Sequence, residues 1–126
     1  MANLSLLLVE DEKPLLALLK KYLERLGHTV DTAETGQAAL EKCRQTPCPF
    51  QIIVLDLTLP DMSGLDMLPE LLNIPAPLRV VVSSGTVFSS EILPPHQRDR
   101  VGSLLKPYMP KELLEALGVA SIEQSA

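Results

Sequence analysis

Ile52-Ile53-Val54-Leu55-Asp56 decides how the remainder of the chain is read: four apolar residues in unbroken succession, ending on a carboxylate. A strand with one wet face alternates apolar and polar side chains, whereas a continuous run fits a strand covered on both faces in a parallel sheet. The pattern recurs on either side. Residues 4–9 run into Glu10-Asp11-Glu12, residues 78–82 into Ser83-Ser84, and residues 101–105, taken as a further buried strand, into Lys106. Residues 28–32 alternate polar and apolar types and predict a half-exposed edge strand.

Between these runs the period changes to that of a helix. Leu15, Leu18, Leu19, Tyr22, Leu23 and Leu26 share one face, with Asp11 as the expected cap, Pro14 near the start and Gly27 as the stop. Residues 36–45 form a weaker helix through Ala38, Ala39, Leu40 and Cys43. A helix opening at Ser63-Gly64 carries Leu65, Leu68, Leu71 and Leu72, and Pro69 inside it is expected to kink or delay it. Residues 110–117 form a short last helix closed by Gly118, with an unstructured tail beyond. Residues 89–93 are short and meet Pro94-Pro95, so the fourth crossover is expected to be a loop or a single turn. Strands alternating with helices imply a parallel sheet with helices on both faces, joined by right-handed crossovers.

The chain has 126 residues, 46% of them hydrophobic, which suits one domain around one core. Only four residues are aromatic (Tyr22, Phe50, Phe88 and Tyr108), so the core is expected to be built from Leu, Val and Ile. A net charge of −5 argues against a phosphate-backbone binding surface, which needs clustered Lys and Arg, and no direct DNA binding is expected. No apolar run approaches the roughly 20 residues of a membrane span. The first apolar stretch lacks the preceding basic residues of a secretory signal, so a cytoplasmic location is the expectation. Cys43 and Cys48 have no His or further Cys nearby and read as two free thiols.

In open parallel sheets, ligands bind in the crevice outside the carboxyl ends of the strands. The residues just past the buried strands are Glu10, Asp11, Asp56, Ser83, Ser84 and Lys106. Singly, each has an ordinary explanation as a cap, a loop start or a solvated rim. Together, three carboxylates at one edge repel one another unless a cation neutralises them. An all-oxygen site suits Mg²⁺, with Mn²⁺ as a substitute.

Three stretches resemble the receiver-domain family of two-component signalling over essentially the whole chain. They are Leu7-Leu8-Val9-Glu10-Asp11-Glu12 as the acidic pair, residues 54–64 (VLDLTLPDMSG) as the phosphoacceptor loop, and Lys106-Pro107-Tyr108 as the lysine motif. The resemblance implies a flavodoxin-like, doubly wound, five-stranded sheet of order 2-1-3-4-5 in three α/β/α layers. It implies a receiver domain over residues 1–119 and a tail over 120–126. Asp56 would be the nucleophile, forming an aspartyl phosphate. Asp11, Asp56 and the backbone carbonyl of Thr58 would ligate Mg²⁺, with Glu10 acting through water. Lys106 would pair first with Asp56 and then with the phosphate. Ser84, followed by Gly85, would hydrogen-bond that phosphate, with Ser83 the off-by-one alternative. Thr58 and Thr86 would flank it and tune hydrolysis, and Lys106–Pro107 would be cis. The implied phosphodonor is a histidine kinase or a histidine phosphotransfer protein, a second copy of the chain is a further partner, and a regulatory domain rather than an enzyme is expected. The lysine motif and weak fourth helix look more like receivers attached to hybrid histidine kinases.

The sequence departs from this pattern at Ser103, where receivers usually carry a Tyr or Phe that couples the phosphate to the output surface. That departure favours a second reading, a receiver-fold interaction module that signals without phosphate. A flavin-binding reading lacks Ser/Thr/Gly phosphate loops after the first strand, where this chain places acids. His96 reads as a solvated loop residue, and neither it nor His28 on the edge strand is given a role.

Overall fold

The computed structural model describes residues 3–45 and 47–125. In chain order the elements are β1 Ser5–Val9, α1 Lys13–Arg25, β2 Thr29–Ala33, α2 Gly36–Cys43, β3 Ile52–Asp56, α3 Gly64–Leu72, β4 Arg79–Ser84, two 3₁₀ turns at Ser90–Ile92 and Pro95–Arg100, β5 Val101–Leu105 and α4 Pro110–Ser125. The five strands form one parallel sheet of order β2-β1-β3-β4-β5. This is the doubly wound arrangement expected from the sequence, with its strand order reversing beside β1.

Every residue of β3 is buried, as its unbroken apolar run required. Alternation along the strands divides the core in two. Leu7, Val9, Ile53, Leu55, Val80 and Val82 face α2 and α3. Leu6, Leu8, Ile52, Val54, Val81 and Leu104 face α1 and α4. Burying such Leu, Ile or Val side chains contributes about 1.5–3 kcal/mol each, which makes these two layers the main source of stability.

Several boundaries differ from the sequence expectation. α1 begins at Lys13 with Glu12 rather than Asp11 in the cap position, and no side chain caps it; Pro14 sits in its first turn, where a missing N–H costs nothing. α3 continues through Pro69 to Leu72. β5 is not a buried strand: Gly102, Ser103 and Leu105 are exposed, Val101 packs against the core while partly exposed, and only Leu104 is buried. It is the sheet edge, so one of its flanks lacks a neighbouring strand. α4 runs past Gly118 to Ser125, because helix formers on both sides outweigh the roughly 1 kcal/mol cost of one internal glycine. His28, on the strand read as half-exposed, is buried, its ring Nδ1 accepting the Leu4 amide at 3.1 Å. His96 is exposed as expected.

The fourth crossover has no α-helix, in line with Pro94-Pro95, and arginines stitch it instead. Arg98 donates from Nε to Leu93 O and from Nη2 to Glu91 O. Arg100 donates to Leu78 O and to Leu72 O, satisfying a carbonyl that α3 leaves open at its C-terminus. Among the described residues no helix is long and apolar enough to cross a membrane.

Candidate functional site

Continuing the strand alternation past the last apolar layer explains how the polar groups meet. Leu8, Val54 and Leu104 face α1 and α4, so Glu10, Asp56 and Lys106, each two residues further on, follow on the same side. Glu10 and Asp56 are each only 5% exposed, so their charges cannot be left to solvent. Lys106 meets both: Nζ donates to Glu10 Oε1 at 2.8 Å and to Asp56 Oδ2 at 3.2 Å. The remaining oxygens are also engaged. Glu10 Oε2 accepts the Glu12 amide at 3.2 Å, and Asp56 Oδ1 accepts the Thr58 amide at 3.0 Å.

One ammonium therefore serves two carboxylates. Burial pushes the Glu10 carboxyl above its ordinary value; Lys106 opposes that shift and the neighbouring Asp56 adds to it. Burial alone would lower the Lys106 ammonium, but its contacts with Glu10 and Asp56 outweigh burial and hold it above its ordinary value. Asp11 is exposed beside them, and Glu10, Asp11 and Asp56 each offer an oxygen within 4.8 Å of the others. Three hard oxygen donors with a net negative balance are the donor set that a small divalent cation such as Mg²⁺ takes.

The phosphoacceptor loop expected from the sequence is tightly closed. Thr58 and Ser63 form an isolated antiparallel bridge, and the Gly64 amide donates to Leu57 O at 2.9 Å. A Cβ at Gly64 would lie 2.6 Å from Leu57 Cα and 2.8 Å from Asp56 O, so only glycine permits this approach. Ser63 Oγ then caps α3 by accepting the Leu65 amide.

Not every expected site residue joins this cluster. Ser84 is half-buried at the end of β4; its Oγ lies 3.3 Å from Thr86 Oγ1 and accepts the Thr86 amide at 3.2 Å. Ser83 is the serine paired with Asp56 in the sheet, and it is buried. Among the described residues its Oγ has no hydrogen-bond partner. Burial raises the Tyr108 phenol. The Lys106–Pro107 bond is cis, as expected. Beside it, Glu12, Leu15, Lys106, Pro107 and Tyr108 line an open groove of about 360 Å³. Ser103 is exposed next to a cavity of about 70 Å³ bordered by Ser84, Phe88 and Leu105.

Sequence reasoning also missed a residue of this loop that ties it to α2. Asp61 was quoted in the loop motif without a role, yet its carboxylate accepts the amides of Gly36 and Gln37 at the start of α2. No local pattern signals a contact between positions 24 and 25 residues apart.

Residues 6–118 match the family described as Response regulator receiver domain. The chain is 46% identical over 68 residues to the aerobic respiration control sensor protein ArcB of Escherichia coli (strain K12), covering 54% of this chain and 8% of that sensor. It is 26% identical over 116 residues to the chemotaxis protein CheY of Thermotoga maritima, covering 91% of this chain and 95% of that protein. The non-phosphorylated HemR receiver domain from Leptospira biflexa superposes with a TM-score of 0.80 at 31% identity, covering 94% of this chain and 95% of that one.

Proposed function

Because the chain belongs to the response regulator receiver domain family, we propose that it is a phosphoacceptor switch, taking a phosphoryl group from a phosphohistidine onto Asp56 in the presence of Mg²⁺. The observation that carries this reading is the shared lysine: the buried Glu10 and Asp56 share the partly exposed Lys106, with Asp11 at the open side of the cluster.

In the proposed step a carboxylate oxygen of Asp56 attacks phosphorus. The P–N bond of the donor imidazole breaks and its electron pair returns to the ring nitrogen. Asp11, Asp56 and the Thr58 carbonyl would hold Mg²⁺, with Glu10 acting through water. When bound, the cation supplies positive charge that offsets the phosphoryl oxygens. Lys106 would exchange its contact with Asp56 for one to the transferred group, staying anchored by Glu10. Ser84 would reach the phosphate by leaving Thr86, with Ser83 the alternative donor.

The groove beside Pro107 and Tyr108 lies next to Lys106 and is open enough to admit a donor side chain. A histidine kinase or a histidine phosphotransfer protein is the partner class this chemistry requires, and a cytoplasmic location follows from such a partner. The likeness to a sensor protein supports an origin beside a kinase. Residues 1–119 are proposed as the receiver and 120–126 as a C-terminal tail, into which α4 continues as far as Ser125.

Mg²⁺ with beryllofluoride, a phosphoryl mimic, should shift the amide resonances of Ser84 and Lys106, and Asp56→Asn should abolish the response. A second reading, a module that binds partners without phosphate, draws on the exposed Ser103 in place of a coupling ring. Unchanged resonances at saturating ligand would favour it.

A further inference from the structure

We propose that Asp61 is a positioning residue: by clamping the start of α2 it fixes the loop that carries Thr58, and so sets the affinity of the acidic site for Mg²⁺. This inference deepens the phosphoacceptor reading and rests on it.

The helix does not need Asp61 for its local cap. Thr35 Oγ1 already accepts the Ala38 amide at 3.1 Å, and the Thr35 carbonyl accepts the Ala39 amide. What remain open are the two outermost donors, Gly36 N and Gln37 N. Asp61 takes both, Oδ1 at 2.8 Å from Gly36 N and Oδ2 at 2.9 Å from Gln37 N. A carboxylate divided between adjacent amides at a helix N-terminus is a charge-assisted pair with fixed geometry. These two bonds hold the Asp61 carboxyl below its ordinary value.

The neighbouring residue makes the same junction tight. Met62 lies so near Gly36 that a Cβ there would sit 2.4 Å from its Cγ and 2.7 Å from its Sδ. The loop is thus held at its base by the Thr58–Ser63 bridge and at its tip by Asp61 and Met62. Thr58 stands inside that closed loop, with its amide on Asp56 Oδ1. Releasing the tip leaves the loop held only by the Thr58–Ser63 bridge and the Thr58 amide, so the Thr58 carbonyl is less fixed, and a donor that must be re-ordered binds a cation less tightly.

The test compares Asp61→Ala, Asp61→Asn and Thr35→Ala with the wild-type chain. Calorimetric titration with MgCl₂ gives the affinity, and amide hydrogen exchange at Gly36, Gln37 and Thr58 reads the tether directly. Asp61→Ala should weaken Mg²⁺ binding by about tenfold and speed exchange at all three amides. Thr35→Ala, which loosens the same helix without touching the loop, should leave the affinity unchanged. Asp61→Asn, retaining an acceptor but no charge, should fall between, and it replaces Asp61→Ala if that variant does not fold. Wild-type affinity in the Asp61 variants, or equal weakening in Thr35→Ala, overturns the inference while sparing the phosphoacceptor reading. A wild-type chain that takes no Mg²⁺ removes both.

Discussion

Lys106 Nζ stands closer to Glu10 than to Asp56, at 2.8 Å against 3.2 Å. The lysine is therefore held by a residue other than the proposed phosphoacceptor, and on the proposed mechanism it stays in place when Asp56 is modified. Lys106→Ala leaves two buried carboxylates facing each other without a cation. Urea unfolding in metal-free buffer should show a loss of about 1–3 kcal/mol, and Mg²⁺ should restore more stability to the variant than to the wild-type chain. An equal effect of Mg²⁺ on both would contradict the shared-cation account of the site.

His28 gives the chain a mild acid sensitivity. Burial holds its ring below the ordinary value of 6.5, and its Nδ1 accepts the Leu4 amide, which only an unprotonated nitrogen can do. For a base whose folded pKa is depressed, the stabilisation is complete above the unfolded value and is lost as pH falls from about 6.5 through the lower folded value. Urea midpoints measured from about pH 7.5 to about pH 5 should decline, and His28→Asn, which keeps an acceptor, should flatten that part of the decline.

Gly64→Ala tests the closure of the loop that follows Asp56. The added methyl would meet the backbone of Leu57 and Asp56, which no side-chain rotation relieves. The expected cost is about 1–3 kcal/mol, read by thermal or urea unfolding. Beryllofluoride binding should weaken as well, since the displaced atoms flank the Asp56 carboxylate. Gly102→Ala is the control, because nothing lies near its Cβ position.

The two thiols should differ in reactivity. Cys43 is buried at the end of α2, and burial, aided by neighbouring Cys48, pushes its thiol up to about 12. Cys48 is half-exposed. Brief iodoacetamide treatment at neutral pH, followed by peptide mass spectrometry, should label Cys48 and spare Cys43 until denaturant is added. Equal labelling in the native protein would mean that the corner between α2 and β3 opens readily.

What could be read from the sequence, and what could not, follows the range of the interactions. The β1, β3 and β4 runs announce a covered parallel sheet because their burial depends on residues within each strand, and the three motifs lie at strand ends where the topology gathers them. The strand from 101 to 105 reads as buried from its apolar members, although the order 2-1-3-4-5 that the resemblance implies already sets it at the sheet edge; only Leu104 in it is fully buried. The Arg98 and Arg100 clamps and the Asp61 tether join positions whose sequences carry no shared pattern. The chemistry of Glu10, Asp11, Asp56 and Lys106 was legible as residue types. That Glu10 holds the lysine more closely than Asp56 required geometry.

The phosphoacceptor assignment is tested most directly by incubating the chain with Mg²⁺ and a small-molecule phosphoryl donor such as acetyl phosphate, then locating the added group by tandem mass spectrometry. One phosphoryl group on Asp56, absent without Mg²⁺ and absent in Asp56→Asn, is the expected result. Addition at another residue, or none under conditions where the protein remains folded and Mg²⁺ is saturating, would contradict it.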